Sequence, residues 1–190
     1  MCGRFTLRDT IQVRSAIKET ITPHYNIAPS NKILALTDQV ESMRWGYSPS
    51  WAKKPFNLVN ARQETLGEKP SFRQSLRCLI FADGWYEWSR QMNGKQPYFF
   101  HLDHKLFFFA GIYGEYNDEN CCCIVTTEAN EKLSDIHHRM PIIVDGRDAD
   151  DWLSGDNYPS IKLSEMIKYY PVSSMVNSPI HDNEGCIRQI

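Results

Sequence analysis

The chain has no run approaching 18 apolar residues and no short apolar segment behind a basic start, so neither a membrane span nor an export signal is read in it. Residue 2 is not Gly, which excludes N-myristoylation. No repeat, low-complexity tract or Gly/Ser linker divides it, and at 190 residues a single domain over 1–190 is expected. Positive charge is not in excess: the net charge of −2 argues against a globally basic nucleic-acid binder, though not against a local basic groove. None of the six cysteines forms a CxxC pair, and without an export signal a disulfide framework is not expected. Apolar and charged fractions of 42% and 23% are those of an ordinary globule, so disorder is not expected either.

What is present begins at Cys2, directly behind Met1. A small second residue permits loss of the initiator, and Cys2 would then carry a free α-amine beside its thiol. That amine, with a pKa of roughly 7.7–8.0, deprotonates far more readily than a lysine. It can add to an aldehyde to give an imine, on which the thiol closes a thiazolidine ring, or it can serve as base for the thiol. On position alone, Cys2 can equally be an accident of translation start in a buried strand.

The Cys121-Cys122-Cys123 run continues into Ile124-Val125-Thr126 as a buried strand would. Neighbours there point to opposite faces, so core packing is favoured over a metal site, and no metal or other cofactor is expected. A first helix should start near Asp9 or Thr10 and end before Pro23. Lys32–Thr37 and Glu41–Trp45 read as a hairpin, and Ser71 as the cap of a short helix through Arg77. An apolar strand, Leu79–Ala82, should follow. Trp85–Ser89 and Tyr98–Leu102 flank Asn93-Gly94, a strong hairpin-turn dipeptide. Leu106–Ile112, Cys121–Thr127 and Pro141–Val144 read as further strands, and Asn130–Ile136, Ala149–Leu153 and Ile161–Tyr169 as helices. The fold class expected is α+β, a single domain with a mainly antiparallel, barrel-like sheet and flanking helices.

Three polar segments stand out. Asn60-Ala61-Arg62 follows Leu58-Val59; its Asn is either a turn former or a group that orients an amine or sugar hydroxyl, and Arg62 can grip a phosphate. Glu87 lies among Trp85, Tyr86 and Trp88 on a strand that puts Trp85 and Glu87 on one face; it is either solvent-facing or a desolvated acid/base. His137 and His138 are adjacent and lack zinc-helix spacing, so one of them is a candidate proton shuttle and the pair otherwise an exposed loop. Basic and aromatic residues interleave around these segments (Arg4-Phe5, Arg44-Trp45, Trp51 with Lys53-Lys54, Arg62, Trp85, Trp88, Arg90), a pattern of single-strand binding or of core aromatics with snorkelling cations.

In order, Met1-Cys2-Gly3-Arg4-Phe5, Tyr25-Asn26-Ile27-Ala28-Pro29, Trp45-Gly46-Tyr47 with Pro49 and Trp51, Asn60-Ala61-Arg62 with Glu64-Thr65, Phe81-Ala82-Asp83-Gly84-Trp85-Tyr86-Glu87-Trp88, and Ile136-His137 with Arg139 and Pro141 resemble the SRAP family (SOS response-associated peptidase, abasic-site processing proteins). The resemblance implies a sensor of abasic sites in single-stranded DNA, including at stalled replication forks, that crosslinks through the processed N-terminal Cys. It implies Cys2 as nucleophile, Asn60 as the group positioning amine and sugar, Glu87 as acid/base and His137 as the residue that opens the sugar ring. It places Arg4, Trp51, Arg62, Trp88 and Arg139 at DNA. It also implies a DNA-damage role in the cytoplasm, nucleoid-associated in a bacterium, as a monomer without a membrane. A lyase side activity and a peptidase role that covers at least removal of residues ahead of Cys2 belong to the same expectation. His24 and Ala52 depart from the pattern, standing where many relatives carry Arg and some a second Trp. Two other functions remain: a plain single-strand-binding module, and an N-terminal-Cys glutamine amidotransferase, whose Arg-Gly-Pro and Asn-Gly-Glu signatures are absent after Cys2.

Overall fold

A computed structural model describes residues 2–92, 94–146, 148–155 and 162–190. Met1, whose loss the aminothiol reading requires, lies outside them, as do Asn93 of the expected turn and Ile161 at the start of the last expected helix. In chain order the elements are β1 (Phe5–Leu7), α1 (Ile11–Ile17), β2 (His24–Ile27), β3 (Lys32–Leu36), β4 (Val40–Trp45), β5 (Asn60–Arg62), β6 (Leu76–Ala82), β7 (Gly84–Gln91), β8 (Gly94–His101), β9 (Phe107–Tyr116) and β10 (Glu119–Glu128), then α2 (Glu131–Ser134), β11 (Arg139–Pro141), β12 (Ile143–Val144), α3 (Ala149–Ser154), α4 (Lys162–Glu165) and β13 (Lys168–Pro171).

Two sheets form, one in the order β13-β8-β7-β1-β2, the other β11-β10-β4-β3-β6-β9-β12 with β5 also on β10. Because β10 pairs β9 as well, hydrogen bonding runs from β10 through β4, β3, β6 and β9 back to β10, a barrel-like ring. Pairing is antiparallel apart from β10 with β4 and β5. The expected fold class therefore stands.

Local chemistry accounts for most element boundaries. Thr10 accepts a hydrogen bond from the Val13 amide and starts α1, and Lys18 in the left-handed region (φ 59°) stops it, well short of Pro23. The β9–β10 turn uses Asn117 and Asp118 at φ 52° and 61°, residue types that tolerate the positive angles of a tight hairpin. β6 is buried continuously from Cys78 to Ala82 because β3 and β9 flank it, which explains the unbroken apolar run. Along β10 the cysteines alternate: Cys122 packs with Phe5, Trp45 and Trp85, while Cys121 and Cys123 pack with Tyr47, Val125 and Trp152. They are buried free thiols on opposite sides of one strand.

Several expectations are corrected. Residues 71–75 make turns, closed by Phe72 N–H to the Lys69 carbonyl and Ser75 N–H to that of Phe72; from Leu76 the chain is taken into β6, so no helix forms over 71–77. The expected 161–169 helix holds only as α4, since Lys168–Pro171 pairs with the edge strand β8. The helix read over 130–136 shortens to α2. The strands β1, β2, β5 and β13 were not expected, and β1 and β5 position the site.

Phe5 meets Trp45 edge-on at 5.1 Å and Trp85 stacks on Phe100 at 5.1 Å, so the base of β1 is held in aromatic packing. Asp83, fully buried, accepts from Thr6 Oγ1 at 2.5 Å and from Arg8 Nε at 2.6 Å, fastening the middle of β1 and the residue after it to the β6–β7 junction. Gly84 next to it has no room for a side chain: a Cβ would lie 2.2 Å from Phe99 Cζ and 2.9 Å from the Phe100 carbonyl. Gly84→Ala is therefore expected to destabilise the protein by at least about 1–3 kcal/mol, the usual range for overpacking, as read from the urea unfolding midpoint.

Candidate active site

The N-terminal residues continue the line of β1 along the edge of β7, where the Tyr86 amide donates to the Arg4 carbonyl at 3.0 Å. Beyond that bond Cys2 turns into the core and is fully buried. Its thiol sits 3.8 Å from the Arg4 carbonyl, a weak sulfur hydrogen bond. From the other side Asn60 Nδ2 donates to the Cys2 carbonyl at 2.8 Å. Asn60 opens β5, which runs parallel to β10 in register with Ile124, and the preceding Val59 carbonyl accepts from Trp45 Nε1 and the Ile124 amide. Its other amide atom, Oδ1, is buried without a hydrogen-bond partner among the described residues. An Asn so placed is not a turn former: it opens a strand and holds the Cys2 carbonyl.

Glu87 lies on β7 and is 3% exposed, which removes the solvent-facing alternative. Burial raises its carboxyl from the ordinary carboxylate range to about 7. Burial, followed by the negative charge of Glu87, raises the Cys2 thiol well above its ordinary value, so the thiol is protonated at neutral pH. His137 is half-buried in a loop after α2, and burial lowers its imidazole to about 4, leaving it neutral. His137 Nδ1 lies 3.0 Å from the Arg139 amide nitrogen and 3.2 Å from the Arg139 carbonyl oxygen, so the backbone of Arg139 can pair with either tautomer of the neutral ring. His138 stacks on it with ring centroids 4.5 Å apart, an arrangement open to adjacent residues only because the segment is neither helix nor strand. Glu87 and His137 line one cavity of about 450 Å³ together with Trp88, Arg90, Lys95 and Asn177.

The residues expected at DNA divide into two groups. Arg4 is committed internally, donating to Asn26 Oδ1, the Val176 carbonyl and the Asn177 carbonyl. Arg139 is 7% exposed and grips both oxygens of Glu64 at 2.9 and 3.0 Å and the Thr126 carbonyl at 2.7 Å. In this arrangement both arginines tie elements together. Arg62 and Trp51 are exposed, the latter 53% so, with Phe56 against its ring edge. Trp88 is intermediate, its indole N–H donating to Asn177 Oδ1 at 2.7 Å. Of the interleaved aromatics, Trp45 and Trp85 are core residues. His24 holds Asp182 at 2.7 Å, and Ala52 is buried.

Lys95 and Asn177 were not singled out from the sequence. Lys95 was reachable by counting register across the Asn93-Gly94 turn. Asn177 had no local signal: it reaches the cavity because Arg4 and the Asn26 amide, the latter bonded to the Val176, Ser178 and His181 carbonyls, dock the C-terminal segment there.

Residues 1–183 match the family model described as SOS response associated peptidase (SRAP). The chain is 38% identical to the abasic site processing protein YoqW of Bacillus subtilis, over 98% of this chain and 99% of that protein. It is 34% identical to YedK of Escherichia coli, over 94% and 95%, and 33% identical to HMCES of Gallus gallus, over 76% and 56%; both carry the same description. A solved structure from Bacteroides thetaiotaomicron superposes with a TM-score of 0.76 at 24% identity, over 97% of this chain and 91% of that one, and shows the same fold. The chain belongs to the SOS response associated peptidase (SRAP) family.

Proposed function

We propose that this protein processes abasic sites in single-stranded DNA by linking itself to them through the α-amine and thiol of Cys2, once Met1 is gone. The observation that carries this reading is the burial of Cys2 between Asn60 and Glu87, beside the cavity that Glu87 shares with His137. The relatives described as abasic site processing proteins support it independently.

The steps follow from the protonation states. An abasic deoxyribose is mostly a closed hemiacetal; His137, being neutral, is suited to take the proton of the C1 hydroxyl on its unprotonated ring nitrogen as the bond from C1 to the ring oxygen breaks, and the imidazolium so formed returns a proton to that oxygen. The amine of Cys2 adds to the exposed C1 aldehyde. Glu87, half protonated near neutral pH, gives its proton to the departing hydroxyl, and water leaves as the imine forms. The carboxylate so produced takes the proton of the Cys2 thiol as sulfur adds to C1. One water is lost overall and a thiazolidine closes. Asn60 holds the Cys2 carbonyl throughout, and its buried Oδ1 is an acceptor for an N–H of the amine. Imine formation also acidifies the C2 protons, so β-elimination competes whenever ring closure is slow. The peptidase in the family description is, on this reading, release of residues ahead of Cys2.

The decisive test incubates Met-processed protein with a single-stranded oligonucleotide carrying one abasic site, followed by a denaturing gel. A shifted band that is absent for Cys2→Ala is expected; with the α-amine still present, that variant should instead nick the strand by β-elimination. A band of full strength in Cys2→Ala overturns the reading. A simple single-strand binder would show no covalent band and no response to the substitution.

Glu87→Gln should slow crosslinking about 10²-fold, at the low end for loss of general acid–base catalysis, and abolish a rate-limiting ionisation near pH 7. The same substitution has a stability signature. A carboxyl raised from 4.5 in the unfolded chain to about 7 in the fold favours folding fully below pH 4.5, and this advantage is lost as pH rises through 7. Glu87→Gln should therefore gain stability on the wild type, by about 3 kcal/mol, between pH 4 and pH 8 in urea titrations.

A further inference from the structure

The cavity that holds Glu87 and His137 extends along the β7–β8 hairpin to Arg90 and Lys95. These two residues are direct partners in the antiparallel register, next to the Gln91–Gly94 pair that closes the hairpin. Like charges placed opposite each other on neighbouring strands repel and cost stability. Both side chains are exposed, and among the described residues no ion pair within 4.0 Å relieves either of them. Other cations around the site are treated differently: Arg4 is spent on backbone carbonyls and Asn26, and Arg139 on Glu64 and Thr126. Two uncompensated cations therefore face each other at the outer end of a cavity whose inner end carries the acid.

Between the two ends stands a wall that favours a flat, partly apolar ligand. Trp88, one residue along from Glu87, fixes its indole by the bond to Asn177, and Asn177 is itself held through its carbonyl by Arg4. Glu87 and Arg90 are three residues apart on one strand, roughly 10 Å at the usual rise. In a ring-opened deoxyribose whose C1 lies at Cys2 and Glu87, the shorter covalent path leads from C3 to the phosphate on O3′. The longer path runs through C4 and C5 to the phosphate on O5′ and better matches the distance to the hairpin.

We propose that Arg90 and Lys95 form a phosphate subsite that receives the phosphodiester on the 5′ side of the lesion, and so set the polarity in which the strand crosses the cavity. This rests on the crosslinking reading above and goes beyond it by assigning a polarity and two binding residues. The pair contributes binding of the substrate and no chemistry; Lys95 and Arg90 hold one anionic group from both strands, which relieves their mutual repulsion only when substrate is bound.

The test compares crosslinking rates at subsaturating protein on three oligonucleotides: one with all natural phosphates, one with a neutral methylphosphonate on the 5′ side of the abasic site, and one with it on the 3′ side. For the wild type, the 5′ replacement is expected to slow the reaction about tenfold, equivalent to about 1.4 kcal/mol, and the 3′ replacement to have a much smaller effect. The double variant Arg90→Gln/Lys95→Gln should be about tenfold slow on the natural strand and indifferent to the 5′ replacement, because the interaction is already gone. Both substitutions are at exposed positions, and an unchanged melting temperature separates lost binding from lost folding. A wild type indifferent to the 5′ replacement, a larger effect on the 3′ side, or a double variant as sensitive as the wild type overturns the subsite while leaving the crosslink intact. Absence of any Cys2-dependent band removes the crosslinking reading and the subsite together.

Discussion

The hydrogen bond from Asn60 to the Cys2 carbonyl is the constraint on which the site depends. Residues near a chain start are ordinarily poorly ordered unless something ties them down. Here Cys2 is buried, and the means are distributed through the fold. Asp83 fastens β1 through Thr6 and Arg8, the Tyr86 amide holds the Arg4 carbonyl, and Asn60 catches the Cys2 carbonyl two residues further out. Asn60 can do so because β5 lies parallel on β10 and is anchored one residue earlier at Val59. Two sheets thus converge on Cys2, and the ring closed by β10 and β9 fixes β10, the strand on which β5 lies.

Burial then does the electrostatic work. A thiol next to a carboxylate in a dry setting stays protonated, a carboxyl there titrates near neutrality, and the neighbouring imidazole stays neutral. These three states are mutually consistent: an ionised thiol beside an ionised Glu87 would place two negative charges together. For the proposed chemistry the order matters more than any single value. A protonated thiol leaves the amine to attack first, and the acid that expels water becomes the base that frees the sulfur. A low-pKa thiolate would instead attack the aldehyde before the imine existed.

How much of this was legible in the sequence differs by element. Alternating or continuous apolar runs marked β3, β4, β6 to β10 well, because each buries a face whose pattern is local. β1, β2, β5 and β13 are three or four residues long, too short for periodicity, and they exist only through partners remote in sequence, such as Phe5 with Ile27 and Trp85. The 71–77 segment has the cap and composition of a helix, yet its last residues are worth more as β-ladder with β9. Cys2, Asn60, Glu87 and His137 were readable as chemical types set in ordered motifs. Their convergence was not, nor was Asn177, whose place is fixed by a docked C-terminal segment with no pattern of its own.

The arginines show why residue type alone misleads about a charged site. Arg4, Arg62 and Arg139 look alike in the sequence as cations beside catalytic motifs, but a guanidinium has five donors and can be consumed wholly by the protein. Arg139 nearly is: its fork closes on Glu64, its remaining contacts go to Thr126, and only the buried Nε has no hydrogen-bond partner among the described residues. Removing such a side chain would disturb the fold around Glu64 and Thr126 before it disturbed any phosphate, so loss of activity in an Arg139 variant says little about DNA contact. Arg62, Arg90 and Lys95 are exposed, and a phosphate that neutralises them displaces only water and mobile ions. Any electrostatic grip that this chain has on a phosphate is therefore to be sought in its exposed cations, with the buried ones acting as the frame around the cavity that Glu87 shares with His137.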